Sequence, residues 1–123
     1  MSVFPVDLIL ANRSGDQWKS IQALVGTGSL YTWLPSDLLA QLGVQAGLER
    51  KFETPEGRHV VHDVGFIKVR LNGEEQTTLA VFGEPGGPPV LGRLTLDDFG
   101  LGIDQVNQRL VPVLGFALSG SVA

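Results

Sequence analysis

Hydrophobic positions along this chain follow mostly the two-residue period of β-strands and are broken at short intervals by glycine and proline. Val3 to Ala11 alternates in part, Phe4, Val6 and Leu8 against Val3, Pro5 and Asp7, and predicts an opening strand. Asn12 to Asp16 is turn-rich, and Trp18 to Val25 supplies the hairpin partner. Gly26-Thr27-Gly28-Ser29 interrupts that partner, and Leu30 to Leu34 resumes with the β-formers Tyr31, Thr32 and Trp33. Arg50 to Thr54 and Arg58 to Arg70 flank Pro55-Glu56-Gly57, a hairpin whose charged and polar arms predict projection into solvent. An Asn72-Gly73 turn then returns the chain as Gln76 to Phe82. After the Gly83 to Pro89 loop, Val90-Leu91 predicts a short strand closed by Gly92, and Gly102 to Val106 pairs with Arg109 to Val113 around Asn107-Gln108.

Two segments have helical rather than strand spacing. In the first, Ser36 is a suitable N-cap, Asp37 suits the positive helix end, Leu38, Leu39 and Leu42 form an apolar stripe, and Gly43 terminates it. At about two turns it needs the sheet for support. The second runs from Thr95 as N-cap to Gly100 as terminator, with Asp97 and Asp98 attributed to the helix dipole. No repeat or linker divides the chain, so residues 1–123 are expected to form one domain.

Composition narrows the class. There are 123 residues and no cysteine, which removes disulfides, thiolate nucleophiles and Cys-based zinc sites and fits a reducing compartment. Met1 to Asp7 lacks a basic region ahead of an apolar run, and no window reaches the roughly 18 apolar residues of a membrane span, so a cytoplasmic protein without a membrane partner is expected. Net charge is −4, and the nine basic residues are scattered from Arg13 to Arg109 without forming a patch, which argues against nucleic acid as a partner. The 16 glycines and 7 prolines mark frequent turns rather than low complexity.

Candidate chemistry centres on Gly26-Thr27-Gly28. It is either an ordinary tight turn or part of a site; it lacks the sixth-position glycine of a dinucleotide fingerprint and the Lys-Ser/Thr of a P-loop. His59 and His62, three apart in a strand, point to opposite faces and are expected to be separate residues of the surface or of the projecting hairpin, so no metal is expected. Trp18, Trp33 and Phe99 are expected in the core or at its rim, and the apolar Leu110 to Leu118 as a strand buried by pairing, which the resemblance described next would place at a dimer interface.

The segment Ala23-Leu24-Val25-Gly26-Thr27-Gly28-Ser29, with Leu30 to Pro35 following, resembles the active-site loop of retropepsin-like aspartic proteases, where an apolar strand runs into Asp-Thr-Gly-Ser or Asp-Thr-Gly-Ala. Val90-Leu91-Gly92, running through Arg93 to Gly100, resembles that family's second signature, and Glu53 to Arg58 stands where the family places its flap. The resemblance implies an all-β fold: a small closed or partly open barrel of the acid-protease type with a flap hairpin and two short helices. It also implies a homodimer, because each single-domain subunit supplies one of two carboxylates about 3 Å apart that share a proton. Peptide or protein would bind between flap and loops, and no cofactor is implied.

By that resemblance Thr27, Gly28 and Ser29 complete the site loop, Glu56 and Gly57 form the substrate-contacting flap tip, and Val90, Leu91 and Gly92 support the loop from beneath. Gly26 departs from the pattern, standing at the position of the catalytic aspartate. General acid–base groups contribute typically about 10²–10⁴-fold each, so this sequence is expected to be inactive as an endopeptidase. Asp63 and Glu56, on the flap, do not replace the pair. The alternative is a non-catalytic peptide-binding or dimerisation module on the same fold, and a third reading is an unrelated small β-barrel.

Overall fold

Strand pairing begins with β1 (Phe4–Ala11) and β2 (Trp18–Val25), antiparallel along their whole length from Phe4 opposite Val25 to Ala11 opposite Trp18. The computed structural model describes residues 3–115. After the loop following β2 come β3 (Thr32–Pro35) and the helix α1 (Ser36–Gln41). The hairpin β4 (Leu48–Glu53) and β5 (His59–Leu71) follows, and β5 turns through Asn72-Gly73 into β6 (Glu74–Gly83). The helix α2 (Arg93–Asp98) leads to a separate two-stranded sheet, β7 (Leu101–Asp104) with β8 (Arg109–Pro112).

The main sheet has six strands in the order β2-β1-β5-β6-β3, with β4 on β5 as the projecting hairpin; β3 runs parallel to β6 and the other pairs are antiparallel. Of the two forms expected for the barrel, the partly open one is found. No ladder joins the edges β2 and β3; Val90 alone lies between them, bridged to Leu24 and to Trp33. The core gathers Leu8 and Leu10 of β1, Val25 of β2, Leu34 of β3, Ile67 and Val69 of β5, Leu39 of α1 and Leu96 of α2. Burying one such side chain is worth roughly 1.5–3 kcal/mol, and each helix contributes by capping this interior rather than by standing alone. No helix among the described residues is long and apolar enough to cross a membrane.

Several local expectations are corrected. Pro35, not Ser36, is the N-cap of α1, and the Asp37 carboxylate accepts from the Gly86 N–H at 2.9 Å, across the Gly83 to Pro89 loop. Gly92, not Thr95, is the N-cap of α2, so Asp97 and Asp98 fall in its last turn, where the helix dipole disfavours acids and does not explain them. Where Val90-Leu91 predicts a strand, Val90 alone forms single-residue bridges, to Leu24 and Trp33. Of the apolar stretch Leu110 to Leu118, β8 takes only the start; Val113 and Leu114 are exposed, and residues 116–118 lie outside the described residues.

Candidate active site

The loop at 26–29 begins where β2 runs out. Val25 is fully buried, and Gly26 leaves the strand with φ +94°, a conformation L side chains rarely adopt. Gly26 is itself buried, whereas Thr27 and Gly28 are exposed. The Thr27 hydroxyl accepts from the Ser29 N–H at 3.1 Å, and the Ser29 hydroxyl donates to the Tyr31 carbonyl at 2.6 Å, so two side chains brace the turn locally. No residue of the Gly26 to Tyr31 stretch carries a carboxylate.

Residues 89–92 clamp the strands entering and leaving this loop. The Leu24 N–H donates to the Pro89 carbonyl and the Leu91 N–H to the Leu24 carbonyl, both at 2.9 Å. On the other side, Val90 and Trp33 exchange N–H to carbonyl bonds at 2.8 and 2.9 Å. The loop carbonyls in turn satisfy the first free amides of α2, with the Arg93 N–H on Ser29 and the Leu94 N–H on Leu30, both at 3.0 Å. This is why α2 needs no side-chain cap. Gly92 sits so close beneath the loop that a Cβ there would fall 2.2 Å from the Tyr31 carbonyl carbon and 2.6 Å from the Leu30 oxygen, so only glycine fits.

Below this clamp lies a buried polar floor that sequence reading missed. The Thr32 hydroxyl accepts from the Gly92 N–H at 2.9 Å and meets the Thr95 hydroxyl at 2.6 Å, which meets the Thr78 hydroxyl at 3.0 Å. All three threonines are at most 4 % exposed. The signal was faint: threonine suits both a strand and a helix cap, and the capping reading of Thr95 absorbed the one residue that joins the other two.

The β4–β5 hairpin reaches this region through aromatic rings. Phe52 of β4 packs against Tyr31 at 5.6 Å and Trp33 at 5.0 Å between centroids, and His62 of β5 lies 4.9 Å from the Trp33 ring. The His62 Nδ1 is 2.9 Å from the Phe82 carbonyl, so this histidine is wedged at the hairpin base, whereas His59 is exposed beside Glu53. His62 is therefore more than a surface residue. Glu56 and Gly57 sit at the exposed tip, where Gly57 has φ +84° and its N–H donates to Thr54. Among the described residues no hydrogen bond joins that tip to the 26–29 loop. Phe99 is in the core, and Trp18 is a rim residue under the Arg70 guanidinium, 3.7 Å from its ring centroid. No cluster of metal-ligating side chains occurs among the described residues.

Thus residues 89–92 bond to Leu24 and Trp33 on either side of the loop and Gly92 lies against Leu30 and Tyr31, while the β4–β5 tip stands apart. No family model and no curated protein matches the chain. Solved structures do. The simian foamy virus (mac) protease, a solution structure, superimposes with a TM-score of 0.56 at 14% identity, over 78% of this chain and 94% of the viral one. The EIAV protease complexed with the inhibitor HBY-793 does so with a TM-score of 0.60 at 16% identity, over 84% and 93%. The chain has the retropepsin-type fold. At these identities the likeness is one of backbone.

Proposed function

We propose that this chain is an aspartic-endopeptidase-like homodimer whose cleft forms where two copies of the 26–29 loop face one another, and that it does not hydrolyse peptides as written here. The observation that carries the reading is the frame around Gly26: a strand running into a Gly-Thr-Gly-Ser turn, held from both sides by residues 89–92 and from below by the start of α2. That frame would aim a side chain at position 26 toward its symmetry mate. A carboxylate pair held there would share one proton, one member activating water while the other protonates the peptide carbonyl. Glycine supplies neither role. Extended peptides would lie between the loops and the β4–β5 hairpin, held by main-chain hydrogen bonds.

The test is Gly26→Asp, assayed on a library of fluorogenic extended peptides from acidic to neutral pH. The expected result is cleavage with a bell-shaped pH profile, absent in the parent and blocked by a transition-state-mimicking peptide. A folded, dimeric variant without cleavage would sink the enzymatic reading. One observation favours the second reading, a peptide-binding or dimerisation module: at φ +94°, an aspartate carries strain of about 1–3 kcal/mol unless the loop relaxes, so the present loop suits the glycine it holds. A parent protein that stays monomeric by light scattering at tens of micromolar would count against both.

A further inference from the structure

A groove on the described residues shares no residue with the candidate site. It is open, about 880 Å³, and runs beside β1, where Asp7, Leu8, Ile9, Gln22, Leu71 and Glu74 contribute to its lining. Its origin is a mismatch in strand length. β1 pairs with β2 from end to end, but with β5 only over Ile9 to Ala11. β5 stops at Leu71 because Asn72 and Gly73, with φ of +57° and +81°, turn it back into β6. On that side Phe4 to Leu8 therefore has no strand neighbour among the described residues. A strand edge left this way presents N–H and C=O groups ready to pair with another strand.

The charges around the groove are unbalanced. The Glu75 carboxylate meets Arg70 at 3.1 Å and Lys68 at 3.8 Å. Asp7 receives the Gln22 side-chain amide at 3.0 Å, and Glu74 receives that of Gln76 at 3.4 Å, with no cation on either among the described residues. Leu8 and Leu71, both buried, give the groove an apolar floor.

We propose that this groove binds an extended peptide segment carrying basic residues. The segment adds to the free edge of β1 as a strand and sets Lys or Arg side chains against Asp7 and Glu74. Main-chain pairing supplies affinity that does not depend on sequence, while every second side chain faces the groove and is selected by its charge. The volume lies within the range of about 300–1,000 Å³ typical of ligand sites. A compact small molecule would use the volume but leave the strand edge unpaired.

The probe is a blocked octapeptide alternating Lys and Thr, with a Glu and Thr counterpart as control, titrated into ¹⁵N-labelled protein. The Lys peptide is expected to give saturable amide shifts confined to Phe4 to Ile9 and Leu71 to Glu75, and the Glu peptide none. Binding should weaken about tenfold in the double variant Asp7→Lys with Glu74→Lys, and with rising salt. Both positions are exposed, and Asp7→Asn with Glu74→Gln gives a milder loss should the reversal disturb the fold. Shifts confined to the 26–29 loop and the β4–β5 hairpin would place the peptide in the proposed cleft and overturn this assignment while leaving the cleft reading standing. Absence of saturable shifts at millimolar peptide would overturn it, as would the same shifts produced by raising protein concentration alone.

Discussion

Replacing Thr95 with valine keeps the side chain's shape and removes one hydroxyl from the floor beneath the 26–29 loop. Two contacts go with it, 2.6 Å to Thr32 and 3.0 Å to Thr78. Each contact consumes one hydroxyl proton whichever way the chain of three is oriented, so both partners lose a bond while remaining buried, at 2 % and 4 % exposure. Thr32 keeps the Gly92 N–H, so Thr78 is the hydroxyl left without its partner, and a buried polar group so orphaned costs about 1–3 kcal/mol, which is the expected loss in Thr95→Val. Against a domain stability of roughly 5–15 kcal/mol this is a large fraction. In urea the midpoint should fall by about 1–2 M with the slope unchanged. The mechanism makes a sharper demand on the double variant. Adding Thr78→Val removes one orphaned hydroxyl, so Thr78→Val with Thr95→Val should be about 1 kcal/mol more stable than Thr95→Val alone. A single variant within about 0.5 kcal/mol of the parent, or a double variant that loses further stability, would refute the claim that these hydroxyls satisfy one another.

Three further outcomes are expected. Gly92→Ala forces a methyl into the Leu30 and Tyr31 backbone, which has no rotamer to yield; overpacking costs about 1–3 kcal/mol and more against backbone, so the melting temperature should drop clearly and the Arg93 and Leu94 amides should exchange faster, and an unchanged melt would contradict the close approach. Phe52→Ala removes rings packed on Tyr31 and Trp33, contacts worth about 0.5–1.5 kcal/mol each beyond area, so amide exchange in β4 should accelerate by roughly tenfold without global unfolding; unaltered exchange would show that the rings do not hold the hairpin. The Gly86 N–H donating to Asp37 holds that carboxyl below its ordinary value, so its contribution is present above the unfolded value near 3.8 and is lost as pH falls below it; Asp37→Asn should flatten the acid limb of urea midpoints measured from pH 5 downward, to about pH 2.5, and parallel limbs would dismiss the contact.

What was legible in the sequence was legible for local reasons. The Trp18 to Val25 strand and the Asn72-Gly73 turn follow from side-chain alternation and from residues that tolerate positive φ, properties that need no distant partner. The Leu38, Leu39 and Leu42 stripe likewise found its place in the core. The start of α2 lies elsewhere than its sequence suggests because long-range bonds take over the capping. Carbonyls of Ser29 and Leu30, more than sixty residues earlier in the chain, satisfy the first amides of α2, which released Thr95 from a cap into a buried network. Apolar neighbours predict a strand at Val90, yet its pairing is one residue long on each side. The aromatic seat of the hairpin was invisible for a related reason: Phe52, His62, Tyr31 and Trp33 come from three strands and the loop, and no periodicity links them.

The frame and the chemistry at position 26 are physically separable. Every bond that fixes the loop is made by backbone groups or by hydroxyls of Thr27, Ser29, Thr32 and Thr95, and none requires a charge at residue 26. A carboxylate there would add nothing to this support and, in a symmetric pair, would add like-charge repulsion relieved by taking up a proton. Glycine removes that repulsion and, at φ +94°, also removes the backbone strain an aspartate would carry. The geometry therefore predicts that Gly26→Asp lowers stability even where it creates activity, and that the loss is larger at neutral pH, where both carboxylates of a pair are driven to ionise, than at pH 4, where the shared proton is retained. Urea midpoints of the parent and the variant at the two pH values measure this directly. A loss of the same size at both pH values, from a protein that is dimeric, would mean that the two loops do not face each other across the axis.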